Sequence, residues 1–227
     1  MSIKTKLAAA GATLALAGGL ATAGALTASA ATPPCGHNCI DIFSREFGTH
    51  SHPNYVLDVW RQSAAVGTPI ILYRTSNTDK AEDFTVSNQG TVDDFYKAGL
   101  VSAALDLHYS SDEAYEFEYS PNGVDSGNCV GTASTAANKT PVVLVPCGAS
   151  AKSVWVVDSA DAIGRGYVPL INGSDTNFSH PYVLHFPGNA YPTDTPRPQL
   201  NTYTLQKYSD NSVYDNELWG ADFGVLR

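Results

Sequence analysis

Tyr55-Val56-Leu57-Asp58-Val59 (YVLDV) returns later in the chain as Tyr182-Val183-Leu184-His185-Phe186 (YVLHF), and the surroundings of the two copies decide the fold. After the first copy come a turn at Gly67-Thr68-Pro69, a second strand-like run to Tyr73, and the polar stretch Ser76-Asn77-Thr78-Asp79. The triplet Glu82-Asp83-Phe84 follows. After the second copy come a long Pro-rich loop, the run Thr202-Tyr203-Thr204-Leu205 and the triplet Glu217-Leu218-Trp219. A diverged copy stands between them. Asn128-Cys129-Val130-Gly131 leads through a polar loop to Thr140-Pro141, the strand Val142-Val143-Leu144-Val145 and the triplet Ser153-Val154-Trp155. Each copy is thus a strand, a loop, a strand and a polar-x-aromatic triplet. The interval is 27 residues from Leu57 to Phe84, 25 from Val130 to Trp155 and 36 from Val183 to Trp219, the excess lying in the third loop.

The rest of the chain reads the same way. Short runs rich in Val, Ile, Tyr, Phe and Thr alternate with clusters of Gly, Pro, Asn, Asp and Ser, which predicts an all-β protein. In Glu113 to Tyr119 (EAYEFEY) the aromatics Tyr115, Phe117 and Tyr119 alternate with Glu116 and Glu118. This predicts a half-buried strand whose glutamates form a solvated face. Asp93 to Leu107 fits a short helix through Tyr96, Leu100, Ala103, Ala104 and Leu107, although its second half also fits a strand.

Residues 1–30 read as a signal peptide. Lys4 and Lys6 precede an uncharged Ala/Gly/Leu/Thr run that ends in Ala28-Ser29-Ala30, a small-x-small cleavage pattern. The expected mature chain, 31–227, is one secreted domain of 197 residues with eleven basic and twenty-two acidic side chains. That charge balance excludes nucleic acid and disfavours anionic membranes as partners, because both need Lys and Arg clusters. Cys35, Cys39, Cys129 and Cys147 are an even set in an exported chain, so disulfides are expected. Of three connectivities, the local one (Cys35–Cys39 with Cys129–Cys147) is preferred. Zinc on Cys35 and Cys39 with His50 and His52 is the alternative and is disfavoured by export. No metal or other cofactor is expected.

The threefold recurrence resembles the ricin-type β-trefoil lectin family, whose repeats carry a Cys-Leu-Asp-like first strand and a Gln-x-Trp triplet. The likeness covers residues from about 40 to 227, with units of about 40–125, 126–178 and 179–227. It implies an all-β trefoil with three pseudo-repeats: a six-stranded barrel capped by three hairpins, its core filled by Phe84, Trp155 and Trp219. Cys129 and Cys147 stand where the family has an intra-repeat disulfide.

The resemblance also implies one sugar site per unit, made of a first-strand Asp, an aromatic after the second strand and an amide near the triplet. In the first unit these fall on Asp58 and Tyr73, with Asn77 and Glu82 as further partners and Ala81 at the amide position. In the second unit Gly131 and Val145 leave no site. In the third, His185 replaces the Asp, Asn216 and Glu217 lie near the triplet, and Gln206 falls where the aromatic belongs, with Tyr203 and Tyr208 close by. The expectation is a secreted, non-catalytic protein that binds carbohydrate weakly through its first unit. The alternative is a protein partner, such as a protease, held by the loop 187–198 around Arg197. An enzyme is disfavoured: the sequence has no Gly-x-Ser-x-Gly, no His-Glu-x-x-His and no glycine-rich phosphate loop.

Overall fold

The computed structural model describes residues 39–47, 55–76, 79–163, 166–188 and 198–222. Twelve strands run through them: β1 (Asp41–Ser44), β2 (Tyr55–Val59), β3 (Ile70–Arg74), β4 (Phe84–Thr91), β5 (Glu113–Tyr119) and β6 (Asn128–Thr132), then β7 (Thr140–Pro146), β8 (Trp155–Val157), β9 (Leu170–Asn172), β10 (Tyr182–His185), β11 (Asn201–Thr204) and β12 (Trp219–Asp222).

Six of the strands close a ring. β1 pairs with β12 through Asp41↔Asp222 to Ser44↔Trp219, and meets β4 through the bridge Ile40↔Phe84. β4 pairs with β5, β5 with β8 and β8 with β9. The bridge Val168↔Trp219, beside β9, returns the ring to β12. The other six strands form three hairpins, β2–β3, β6–β7 and β10–β11. These join one another through Pro69↔Val143, Thr202↔Thr140 and Ile71↔Gln199. A closed six-stranded barrel with a triplet of hairpins is the β-trefoil. Closure leaves the barrel without a free edge.

Counted in chain order, the units are β1–β4, β5–β8 and β9–β12. YVLDV and YVLHF are therefore the second strands of their units, and divisions at 125 and 178 would separate five, four and three strands.

The triplet aromatics share one role. Phe84, Trp155 and Trp219 open β4, β8 and β12 and are 0%, 0% and 1% exposed. Each follows a single 3-10 turn: Lys80–Glu82, Ala151–Ser153 or Asp215–Glu217. Trp155 Nε1 donates to Val130 O at 2.9 Å and Trp219 Nε1 to Leu184 O at 2.8 Å. The third-unit counterpart of Leu57 and Val130 is thus Leu184, one residue beyond the Val183 that the spacing suggested. All three aromatics lie in one cluster with Leu57, Val130 and Leu184.

Two local expectations change. Glu116 and Glu118 are 2% and 7% exposed, not solvated. β5 is an interior barrel strand with neighbours on both edges, and its glutamates accept from Gly127 N and Gly148 N, in the turns that enter and leave β6–β7. The Asp93–Leu107 segment forms two helices, α1 (Val92–Lys97) and α2 (Ala103–Tyr109). Thr91 caps α1 in a capping box with Asp94, and Gly99 at φ +76° ends it. Phe95, Val101 and Leu105 face inward, while Tyr96 and Leu107 are 41% and 81% exposed. The expected apolar face is therefore the outer one.

Cys129 and Cys147 form a disulfide that spans 18 residues and ties the entry of β6 to the end of β7, Cα atoms 5.0 Å apart. A loop of that size contributes about 3 kcal/mol on the chain-entropy model. Cys39 is also disulfide-bonded; Cys35, its expected partner, lies outside the described residues, as do His50, His52, Asn77 and Arg197.

Candidate functional site

The position after the apolar pair of each hairpin's first strand separates the three units. In the second unit it is Gly131, where a Cβ would lie 2.5 Å from Val145 Cγ2 and 2.7 Å from Lys152 O. No side chain fits there without displacing its neighbours.

In the first unit it is Asp58, which is 1% exposed. Its carboxylate lies with those of Asp79 and Glu82 in one group whose oxygens are within 4.8 Å of each other. An all-oxygen set of this kind suits a hard cation, but two of its members are spent on local bonds. Asp79 Oδ1 accepts from Ala81 N and from Gln62 Nε2, both at 3.0 Å. Glu82 accepts from Ser76 N at 2.9 Å and from Thr75 Oγ1 at 3.1 Å. Burial, with Asp41 and Asp58 nearby, pushes the Glu82 carboxyl up to about 8. Tyr73 is half-buried on β3, opposite Val56. Asp58 and Glu82 are thus closed off from a ligand in solution.

Glu82 has counterparts that sequence spacing only half revealed. Glu217, 0% exposed, accepts from Gln206 N at 2.7 Å, and burial raises its carboxyl to about 8. Ser76 and Gln206 each stand two residues beyond a hairpin's last strand. The matching residue of the second unit is Gly148. Its N–H donates at 2.8 Å to Glu116 Oε1, which also accepts from Ser153 Oγ at 2.6 Å. The second-unit triplet carries a short Ser153, so the carboxylate arrives from β5 instead. In every unit a buried carboxyl clasps the chain as it leaves the hairpin. Glu82, Glu217 and Glu116 are each engaged in that backbone contact.

The third unit is open. A cavity of about 580 Å3 has His185, Asn201 and Asn216 as its polar floor and Tyr203 and Tyr214 among its walls. His185 sits at the end of β10, opposite Asn201 on β11. His185 Nδ1 is 2.9 Å from Asn201 Oδ1, an atom that only accepts, so Nδ1 carries the proton. Nε2 then accepts from Asn216 Nδ2 at 3.2 Å, and the same amide donates to Phe186 O at 3.1 Å. Burial pushes the His185 pKa below its ordinary value, which keeps the ring neutral. Its face stacks on Tyr203, centroids 5.0 Å apart at 29°. Tyr208 packs on Tyr214 behind the wall, centroids 4.2 Å apart. Gln206, Pro187 and Lys139 complete the rim.

Strand register corrects the alignment inferred from spacing. Val183 faces Tyr203 as Val56 faces Tyr73, so the third-unit aromatic is Tyr203 rather than Gln206. The amide position, Ala81 in the first unit and Lys152 in the second, holds Asn216 here. The sequence reading missed Asn201, Tyr214 and Lys139. Asn201 is found only by counting back from Tyr203 across the hairpin, and Lys139 belongs to the loop of another unit.

A second cavity, of about 460 Å3, lies beside α2 between Tyr109, Phe178 and Asp158. Its lysine, Lys207, is already paired with Asp161 at 2.6 Å.

No protein-family model and no curated protein matches the sequence. Solved structures match in shape. The designed threefold-symmetric protein ThreeFoil superposes at TM-score 0.52 and 15% identity, over 81% of this chain and 97% of its own. The exo-β-1,3-galactanase 1,3Gal43A of Clostridium thermocellum superposes at TM-score 0.52 and 11% identity over 81% of this chain. This chain spans 30% of that enzyme's length. The Rhizoctonia solani agglutinin aligns at TM-score 0.49 and 17% identity, over 81% of this chain and 94% of its own. At such identities the likeness is one of fold.

Proposed function

We propose that this protein is a secreted, non-catalytic, carbohydrate-binding β-trefoil of ricin-type lectin character, and that it takes its ligand weakly at the third unit rather than the first. The observation that carries this reading is the His185–Asn201–Asn216 floor set against Tyr203 in an open cavity. A saccharide offers hydroxyls that need amide partners, here Asn201 and Asn216 as His185 orients them, and a C–H face that needs an aromatic surface. The corresponding first-unit groups, Asp58 and Glu82, are 1% and 2% exposed, against 8% for His185, which lines the cavity. Binding is favoured over glycoside cleavage because cleavage needs two carboxyls across the site, and no carboxylate lines this cavity among the described residues. The disulfides suit an oxidising compartment, and no described helix is long and apolar enough to cross a membrane.

Glycan-array binding of the wild type and of His185→Ala, Asn216→Ala and Asp58→Asn tests the assignment. The expected result is at least tenfold loss in the first two variants and near wild-type binding in the third. Loss confined to Asp58→Asn would return the site to the first unit, and a blank array for the wild type would remove the carbohydrate reading.

A further inference from the structure

We infer that the third-unit site selects an acidic saccharide, one that presents a carboxylate, through Lys139. The inference rests on the carbohydrate reading above and adds the charge of the ligand to it.

Three features of the site point the same way. First, the floor has lost its anion. The position that is Asp58 in the first unit is His185 here, a neutral ring with both nitrogens committed to Asn201 and Asn216. Glu217, behind the floor, is 0% exposed, and Asp215, next to Asn216 in the chain, is paired with Arg45 at 3.3 Å.

Second, the site's one charged group is a donor, and donors are the larger part of its uncommitted atoms, with the Asn216 Oδ1 acceptor buried at its floor. Lys139 Nζ, Asn201 Nδ2 and the Gln206 side-chain amide make no hydrogen bond to a described residue; Asn201 bonds through Oδ1 and Gln206 through its backbone N–H. The Tyr203 and Tyr214 hydroxyls are likewise uncommitted. A donor-rich site is best filled by a strong acceptor, and a carboxylate accepts charge-assisted bonds that a neutral hydroxyl does not.

Third, Lys139 is built into place. It stands in the β6–β7 loop of the second unit yet lines the cavity of the third. Its backbone is left-handed, φ +64°, which costs an ordinary side chain energy that Gly would not incur. The surroundings hold it there. Lys139 N donates to Thr202 O at 2.8 Å and Thr140 N to Ala137 O at 3.1 Å. Asn138 Oδ1 accepts from both Thr204 N, at 2.8 Å, and Thr204 Oγ1, at 2.7 Å. Lys139 is exposed and, like Lys80 and Lys152, makes no ion pair with a described residue, so its charge is available at the rim. Against the net charge of −9, which opposes anions elsewhere on the protein, a cation held in a strained backbone, with no ion pair to a described residue and beside a floor without an anion, is a local site for a negative ligand.

The test separates charge from shape. Oligogalacturonate and oligoglucuronate are titrated calorimetrically against wild type and Lys139→Gln, each beside its fully methyl-esterified form, which keeps the skeleton and removes the charge. The expected result is that at least one free acid binds about tenfold or more tightly than its ester at low salt. That preference shrinks in 0.5 M NaCl and vanishes in Lys139→Gln. Lys139→Gly should raise Tm by relieving the backbone and lose the preference equally, which rules out damage to the fold as the cause. Esters bound as well as the acids, or a preference that survives in Lys139→Gln, would overturn the inference and leave the carbohydrate reading intact. No binding of acids or esters, with neutral glycans still bound on the array, would overturn the inference alone; a blank array as well would remove both.

Discussion

At the scale of single residues, Glu82 and Glu217 do work that their charge obscures. Both are buried acceptors for a backbone N–H, and burial raises both carboxyls to about 8. Because the folded value lies above the ordinary 4.5, the folded state holds these protons more tightly than the unfolded chain does. The associated stability is fully present below about pH 4.5 and is lost as pH rises through about 8. The slope between those limits is at most about 1.4 kcal/mol per pH unit for each group. Glu82→Gln and Glu217→Gln should therefore match the wild type near pH 4 and exceed it at pH 9 by about 2 kcal/mol or more each. Urea denaturation at the two pH values reads this directly. Variants less stable than wild type at pH 9 would show that the carboxylates are needed ionised.

At the scale of elements, the three triplets act as hinges between hairpin and barrel, and their aromatics differ by one bond. Trp155→Phe and Trp219→Phe each remove a buried indole donor and leave Val130 O or Leu184 O without it. Each should cost about 1–3 kcal/mol by denaturant titration. Phe84→Ala, which empties the core where no such bond exists, should cost about 3–5 kcal/mol. This layer was legible in the sequence, because an aromatic after a polar residue at three recurring positions survives divergence. The layer around it was less so. The Glu116/Glu118 alternation has the period of a half-exposed strand, but whether that face meets water depends on turns far away in the chain, at Gly127 and Gly148. Glu116 also replaces a triplet side chain by reaching across from β5, which no local pattern encodes. The helices were visible as a period, but their inner face was not, since Gly99 resets the phase between Phe95 and Leu105.

For the whole molecule, three copies of one plan share a barrel and have parted in their pockets. The second was filled when Gly131 let Val145 and the Lys152 carbonyl close in. The first was closed over Asp58. The third exchanged an acid for an imidazole held between two amides. The fold could be read from recurrence, because a barrel needs all three units to carry similar strands. The site could not, because residue identity at one position says little about depth. Asp58 looked best equipped and is 1% exposed; His185 looked like a loss and lies at an open cavity. Asn201 and Lys139 enter only through cross-strand and cross-unit register, which exists once the barrel has closed.

That closure also governs how the chain reaches its shape. β1 has no barrel neighbour on one side until β12 is available, and Ser44 pairs with Trp219. Most of the chain must therefore be present before the first strand is secured. Refolding should accordingly run on the millisecond-to-second scale expected when distant pairings dominate. Chains ended before Trp219 should show no cooperative unfolding transition by circular dichroism, however complete their first two units. A protein of this plan should not secure one unit at a time as it emerges, because the ring that positions its pockets closes only through its last strand.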